Sequence, residues 1–208
     1  MNKLQTDIKK KVFSWSMMHN LQLIIEFHNM QYQMMKNQVS EININLNSCK
    51  DKNEKKKLLI VKDTYVNTFD GLLDINTFLL MYSHLEEFLY HTWKIFNKEQ
   101  EICGSGSLKR FKSIIENVLK LDLNHDLEWE LLCDYEKIRD CLLHANARVS
   151  ISKNKNDLER IINKSFSHLS VKNDQIKLSG EFLVSVLITI ESLIKRIDNA
   201  SDFEIRIT

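Results

Sequence analysis

Apolar residues recur at spacings of three and four along most of this chain, the period of packed helices. The first such stripe is Met17, Leu21, Ile24, Ile25, His28, Tyr32 and Met35, which predicts one long helix or two in series over residues 5–38. A polar stretch follows at 40–57 and reads as a loop leading into the first turns of a helix over 55–71. Asp74 is placed to cap a helix reaching 97, with the stripe Ile75, Phe78, Tyr82, Leu85, Leu89, Trp93 and Phe96. Gly104-Ser105-Gly106-Ser107 reads as a linker before a helix over 107–121. The next helix, 127–145, carries Leu131, Leu132, Tyr135, Ile138 and Leu142, and a shorter one is expected at 155–166. Two short runs flanking Asn173-Asp174 predict a β-hairpin. Ser179 then caps a last helix striped by Leu183, Val186, Leu187, Ile190, Leu193, Ile194 and Ile197. The pattern predicts an all-α fold, a bundle of about five to seven helices with a short hairpin before the last. Residues 1–71 read as an N-terminal helical arm and 72–208 as the bundle itself.

Composition reinforces this reading. The 208 residues contain no proline and only four glycines, which helices tolerate and β-rich folds do not. A net charge of +1 means that any affinity for nucleic acid must come from a local patch. The run Lys50-Asp51-Lys52-Asn53-Glu54-Lys55-Lys56-Lys57 is such a patch or a solvated surface, and the cluster Lys109, Arg110 and Lys112 is either a groove wall or a solvated face. Cys49, Cys103, Cys133 and Cys141 are too scattered for a disulfide framework and form no Cys-x-x-Cys pair, as in a reducing compartment. No secretory signal is legible after Lys9-Lys10-Lys11, and the apolar run from Leu183 to Ile190 is too short to span a bilayer. A cytoplasmic protein without a membrane span is expected.

The densest chemistry lies in Lys137-Ile138-Arg139-Asp140-Cys141-Leu142-Leu143-His144-Ala145-Asn146, near the end of the 127–145 helix. Arg139 follows Tyr135 by four and precedes Leu142 by three, so its stem runs along the core edge and its guanidinium wants a carboxylate or phosphate. Glu86 occupies the equivalent flank of the 74–97 helix, where a carboxylate needs a partner, and an arginine elsewhere in the bundle is the natural one. Asp140 and His144 are four apart and neighbours on one face, an arrangement that would fix the imidazole tautomer and favour proton transfer. Arg139 and His144 are five apart, about 140° round a helix. They reach one phosphate only if the arginine's length bridges the gap, the helix end relaxes, or a second subunit contributes. A structural reading stands beside this one: an Arg-Asp-His surface with His144 favoured by the helix dipole. His84 and His91 are about 10 Å apart along their helix, too far to share a metal, and neither a metal nor a cofactor is expected.

The segment from Ile138 to Asn146 resembles the Arg-x4-His motif of the HEPN superfamily, in which a polar residue follows the arginine and the histidine precedes an Asn-containing turn. The likeness extends over roughly residues 72–198, through Leu85-Glu86-Glu87-Phe88-Leu89 and the final apolar helix. Where such proteins carry glycine after that turn, this chain has Ala147. The resemblance implies a homodimeric helical bundle and a metal-independent endoribonuclease acting as a toxin or in phage defence. By position, His144 would move a proton as an RNA 2′-hydroxyl attacks the adjacent phosphate, and Arg139 would stabilise the charge that develops. Asp140 would orient one of them, and Glu86 is a further catalytic candidate. Asn146, Lys109, Arg110 and Lys112 are candidates for RNA contact. The alternative that the resemblance also allows is a non-catalytic dimeric module acting through a protein or nucleotide partner, and, after it, one half of a two-component system with an antitoxin or nucleotidyltransferase partner.

Overall fold

The computed structural model describes residues 3–96, 108–164 and 168–207, with side chains described over 13–96, 108–164 and 168–200. The predicted linker at 104–107 and residues 165 and 166 of the predicted 155–166 helix lie outside them. Among the described residues seven α-helices and one hairpin follow in order: α1 (Lys3–Ser48), α2 (Lys52–Asp63), α3 (Asp70–Phe96), α4 (Lys109–Asn117), α5 (Leu127–His144), α6 (Lys155–Ile162), β1 (Leu169–Lys172), β2 (Gln175–Leu178) and α7 (Gly180–Ile207). The fold is an all-α bundle with a short antiparallel hairpin before its last helix.

The long first helix outruns its prediction by ten residues. Half-buried Val39 and buried Ile42 and Leu46 continue the stripe beyond Met35, so the Asn-rich stretch 40–48 is helical rather than a loop. Asp51 starts α2 earlier than expected, its carboxylate accepting the Asn53 N–H at 2.8 Å. The cap expected at Asp74 does not exist, because α2 passes through a π-helical turn at Thr64–Phe69 directly into α3. With no proline and nothing filling the space around Gly71, the chain meets no breaker between 52 and 96. The fourth helix stops at Asn117, short of the predicted 121, where Lys120 takes a left-handed conformation (φ 56°).

One core joins these elements. Phe78, Tyr82, Leu85 and Leu89 of α3 meet Leu132, Tyr135 and Ile138 of α5 and Leu183, Val186, Ile190 and Ile194 of α7. At its centre the rings of Phe78, Tyr135 and Phe182 lie 5.3–6.4 Å apart, mostly edge to face. Met17 and Leu21 of α1 belong to the same core, and the His84 ring bonds the Met17 carbonyl at 2.9 Å, which fixes α3 against α1.

The hairpin braces the end of α5. Asn173 and Asp174 both adopt left-handed backbone (φ 52° and 65°), as a two-residue turn of this type requires, and pair Lys172 with Gln175. The Asp174 carbonyl accepts the Val149 N–H, and the Ala147 carbonyl accepts the Ile176 N–H, both at 2.9 Å. The loop that follows His144 is thereby stitched to the hairpin. Among the described residues no helix is long and apolar enough to cross a membrane.

Candidate active site

Asp126 opens α5 by accepting the Trp129 N–H at 2.9 Å, and Arg196 of α7 reaches the same carboxylate. The helix then runs eighteen residues with Leu132, Tyr135, Ile138 and Cys141 inward. That register places Arg139 on the shoulder facing α3, one fifth of its side chain exposed.

Arg139 is the middle of a chain of charges. Its Nη2 donates to Glu86 Oε1 at 2.7 Å and its Nη1 donates to Asp140 Oδ1 at 2.8 Å. The other oxygen of Asp140 holds Lys153 Nζ at 2.9 Å, and the guanidinium lies 5.4 Å from the centre of the Tyr82 ring. Burial alone would lower the Arg139 pKa, but the Glu86 carboxylate and the bond to Asp140 outweigh it and the net shift is upward. Burial would likewise raise the Asp140 carboxyl, yet the bonds from Lys153 and Arg139 hold it below its ordinary value. The arginine partner expected for Glu86 is therefore present, and it is Arg139.

The pairing expected between Asp140 and His144 is not made. Both Asp140 oxygens are taken by cations, because Arg139 is adjacent and Lys153 returns over the helix end. His144 stands in the last turn of α5, exposed, with no hydrogen bond or ion pair among the described residues. Immediately after it Asn146 and Ala147 both take left-handed backbone (φ 51° and 63°), and the Ala147 N–H returns to the Cys141 carbonyl at 3.1 Å. Ala147 thus adopts the conformation that glycine favours, with its methyl group buried. Asn146 is exposed on this turn, and its carbonyl accepts Gln175 Nε2 at 3.5 Å.

The other candidates lie apart. Lys109 opens α4 close to Cys133, nearly two turns before Arg139. Arg110 lies over the Phe111 ring at 5.0 Å, and Lys112 is held by Glu116 at 3.5 Å and Asn124 at 3.4 Å. Among the described residues neither Lys109 nor Lys112 forms a hydrogen bond or ion pair with the Arg139 chain of charges. The lysine-rich run at 50–57 is exposed on the first turns of α2.

Two features were not read from the sequence. Lys153 lies in a polar stretch whose spacing singles out no residue. Asp134, 5% exposed in its side chain, gathers Arg160 at 2.8 Å, Lys164 at 2.5 Å and Lys137 at 3.5 Å. A signal for it existed: Asp134 falls on the buried face between Leu131 and Ile138, the same conflict that marks Glu86. It borders an apolar cleft of about 510 Å³ between α5, α6 and α7, which neither Arg139 nor His144 lines. Among the described residues no three His, Cys, Asp or Glu side chains converge as metal ligands would. No protein-family model, curated protein or solved structure matches the chain.

Proposed function

We propose that the chain is an endoribonuclease of HEPN type, cleaving RNA by attack of a 2′-hydroxyl on the adjacent phosphate, in toxin action or phage defence. The observation that carries this reading is the pair of groups at the end of α5: a guanidinium held in place by two carboxylates, and, about one and a half turns on, an unpartnered, exposed imidazole. Arg139 has five N–H donors, and the bonds to Glu86 and Asp140 occupy two of them. The remaining donors are available to phosphoryl oxygens as negative charge grows in the transition state. His144 carries the proton between the 2′-hydroxyl and the leaving 5′-oxygen, and the product is a 2′,3′-cyclic phosphate. The charges of Glu86, Arg139, Asp140 and Lys153 sum to zero, so an incoming phosphate needs further positive charge. A protonated His144 supplies it, and so does the same motif of a second subunit in a homodimer.

One observation favours a second reading, a non-catalytic dimeric module. An arginine already paired with two carboxylates is also what a structural ion-pair network looks like, and removing one member of such a network costs about 3–5 kcal/mol when it is buried; at one-fifth exposure the cost here is smaller. Pure protein incubated with total RNA in EDTA separates the two readings. The catalytic reading expects cleavage with cyclic phosphate ends, lost in His144→Ala without a change in melting temperature, because that side chain is exposed. If wild type and His144→Ala cleave alike, or if neither cleaves while Arg139→Ala mainly unfolds the protein, the module reading replaces it.

A further inference from the structure

The face of α1 that points away from the bundle is apolar. Leu23, Phe27, Met30 and Met34 are 45%, 52%, 53% and 56% exposed, against complete burial of Leu21 on the opposite side. Their spacing of four, three and four is that of the d and a positions of a coiled-coil seam. Among the described residues nothing packs over them. The surroundings are as unusual as the stripe. Between Phe13 and Ser40 the only acidic or basic residues other than histidine are Glu26 and Lys36, in a chain whose average is 27% charged. The polar positions are instead filled by Gln22, Gln31, Gln33, Gln38, Asn20 and Asn37. Five of the seven methionines, at 17, 18, 30, 34 and 35, also fall here. Depletion of charge with enrichment of methionine and aromatic side chains is the composition of an interface centre rather than of a solvated helix face.

We infer that this stripe is a homotypic interface, in which α1 of one copy packs antiparallel against α1 of a second copy, with the two-fold axis passing between Phe27 and Met30. The heptad spacing selects a helix as the occupant. The near absence of charge argues against a partner chosen by electrostatic complementarity, and a single lysine beside the stripe, Lys36, is too little basic charge for an anionic lipid surface. The stripe is complementary to itself. Antiparallel pairing sets Leu23 against the partner's Met34 and Phe27 against the partner's Met30. Glu26 then faces glutamine instead of a second glutamate, and the two helix dipoles oppose. This interface is independent of the ribonuclease reading, because it uses the face of α1 turned away from α3 and α7 and involves no residue of α5.

Analytical ultracentrifugation of the full chain tests it through paired charge variants. Wild type is expected to sediment at twice or a larger even multiple of the monomer mass. Phe27→Glu and Met30→Lys alone each leave charges unpaired in the seam and weaken the association by about a hundredfold or more. Mixing the two variants restores it, since in the antiparallel arrangement position 27 of one copy meets position 30 of the other. Leu23→Glu gives the same loss at an independent position, and circular dichroism of every variant matches wild type because these side chains are exposed. A monomeric wild type, a Phe27→Glu mass equal to wild type, or failure of the mixture to re-associate overturns the inference. So does binding of wild type, and not Phe27→Glu, to phosphatidylcholine vesicles without self-association, which makes the stripe a membrane surface. His144→Ala leaves the mass unchanged whichever way the ribonuclease test falls.

Discussion

Asp74 lies between α1 and α3 with its carboxylate 3.7 Å from His28 Nε2, while His28 Nδ1 accepts the Thr77 hydroxyl at 2.9 Å if the ring carries its proton on Nε2. Burial, and then the negative charge of Asp70, push the Asp74 carboxyl up to about 6. Burial pushes the His28 imidazole the other way, below its ordinary 6.5. Folding therefore favours protonated Asp74, a contribution fully present below 3.8 and lost as pH rises through about 6. It favours neutral His28, a contribution present above 6.5 and lost as pH falls through the ring's depressed value. At pH 7.5 the carboxylate is ionised at a cost of up to about 3 kcal/mol. Asp74→Asn is expected to recover about 1–3 kcal/mol in urea unfolding at pH 7.5, with the gain vanishing by pH 4. An equal gain at both pH values would mean that the amide packs better and that ionisation is not the cause. Residues such as Asp74 show where sequence reading stops. Its position before an apolar stripe fits a helix cap, and only the continuity of the rod from 52 to 96 turns it into a half-buried acid. Glu86 was legible because an apolar flank leaves a carboxylate few ways to be satisfied, whereas Asp140, with Arg139 and His144 as its helix neighbours, took Arg139 and the incoming Lys153 over His144.

Among the elements, α5 and the hairpin were legible to within a residue or two. Each is bounded by residues with a strong local preference: Asp126 as cap, and the Asn173-Asp174 pair as a turn with positive φ at both positions. The end of α1 and the π-helical turn were not, since three asparagines near 45 mask the stripe through Ile42 and Leu46, and a six-residue π segment has no period that a pattern search finds. The hairpin matters to the candidate site because it sets the path of the chain leaving His144. The Asp174 carboxylate accepts the Ser150 N–H at 3.0 Å and is also bonded by the Ser150 hydroxyl. Asp174→Gly keeps the left-handed backbone and the carbonyl contact to Val149 but removes both side-chain bonds. Hydrogen exchange of the Ser150 and Ile176 amides is expected to quicken several-fold, while that of Ile138 within α5 stays unchanged. Uniform acceleration through α5 would show instead that the hairpin supports the whole helix.

At the scale of the molecule, the position of Arg139 is settled by contacts that begin in α1. Leu21 is fully buried against α3 and α7, and the Met17 carbonyl holds His84 two residues before Glu86, the carboxylate that fixes the guanidinium. Hydrophobic periodicity could show that each helix has a buried face, but not which helix covers it, and so the route from α1 to the end of α5 was not visible in the sequence. If α1 is part of one cooperative unit, damage to its buried face is felt everywhere at once. Leu21→Ala removes a fully buried side chain and is expected to cost about 2–5 kcal/mol. Native-state hydrogen exchange should report that loss equally at Leu85 in α3, Ile138 in α5 and Ile190 in α7, because their slowest opening is the global one. Loss confined to the amides of α1, with the other three unchanged, would mean that the first helix opens by itself. In that case Glu86 and Arg139 keep their geometry without it, and the bundle that carries the candidate site stands alone.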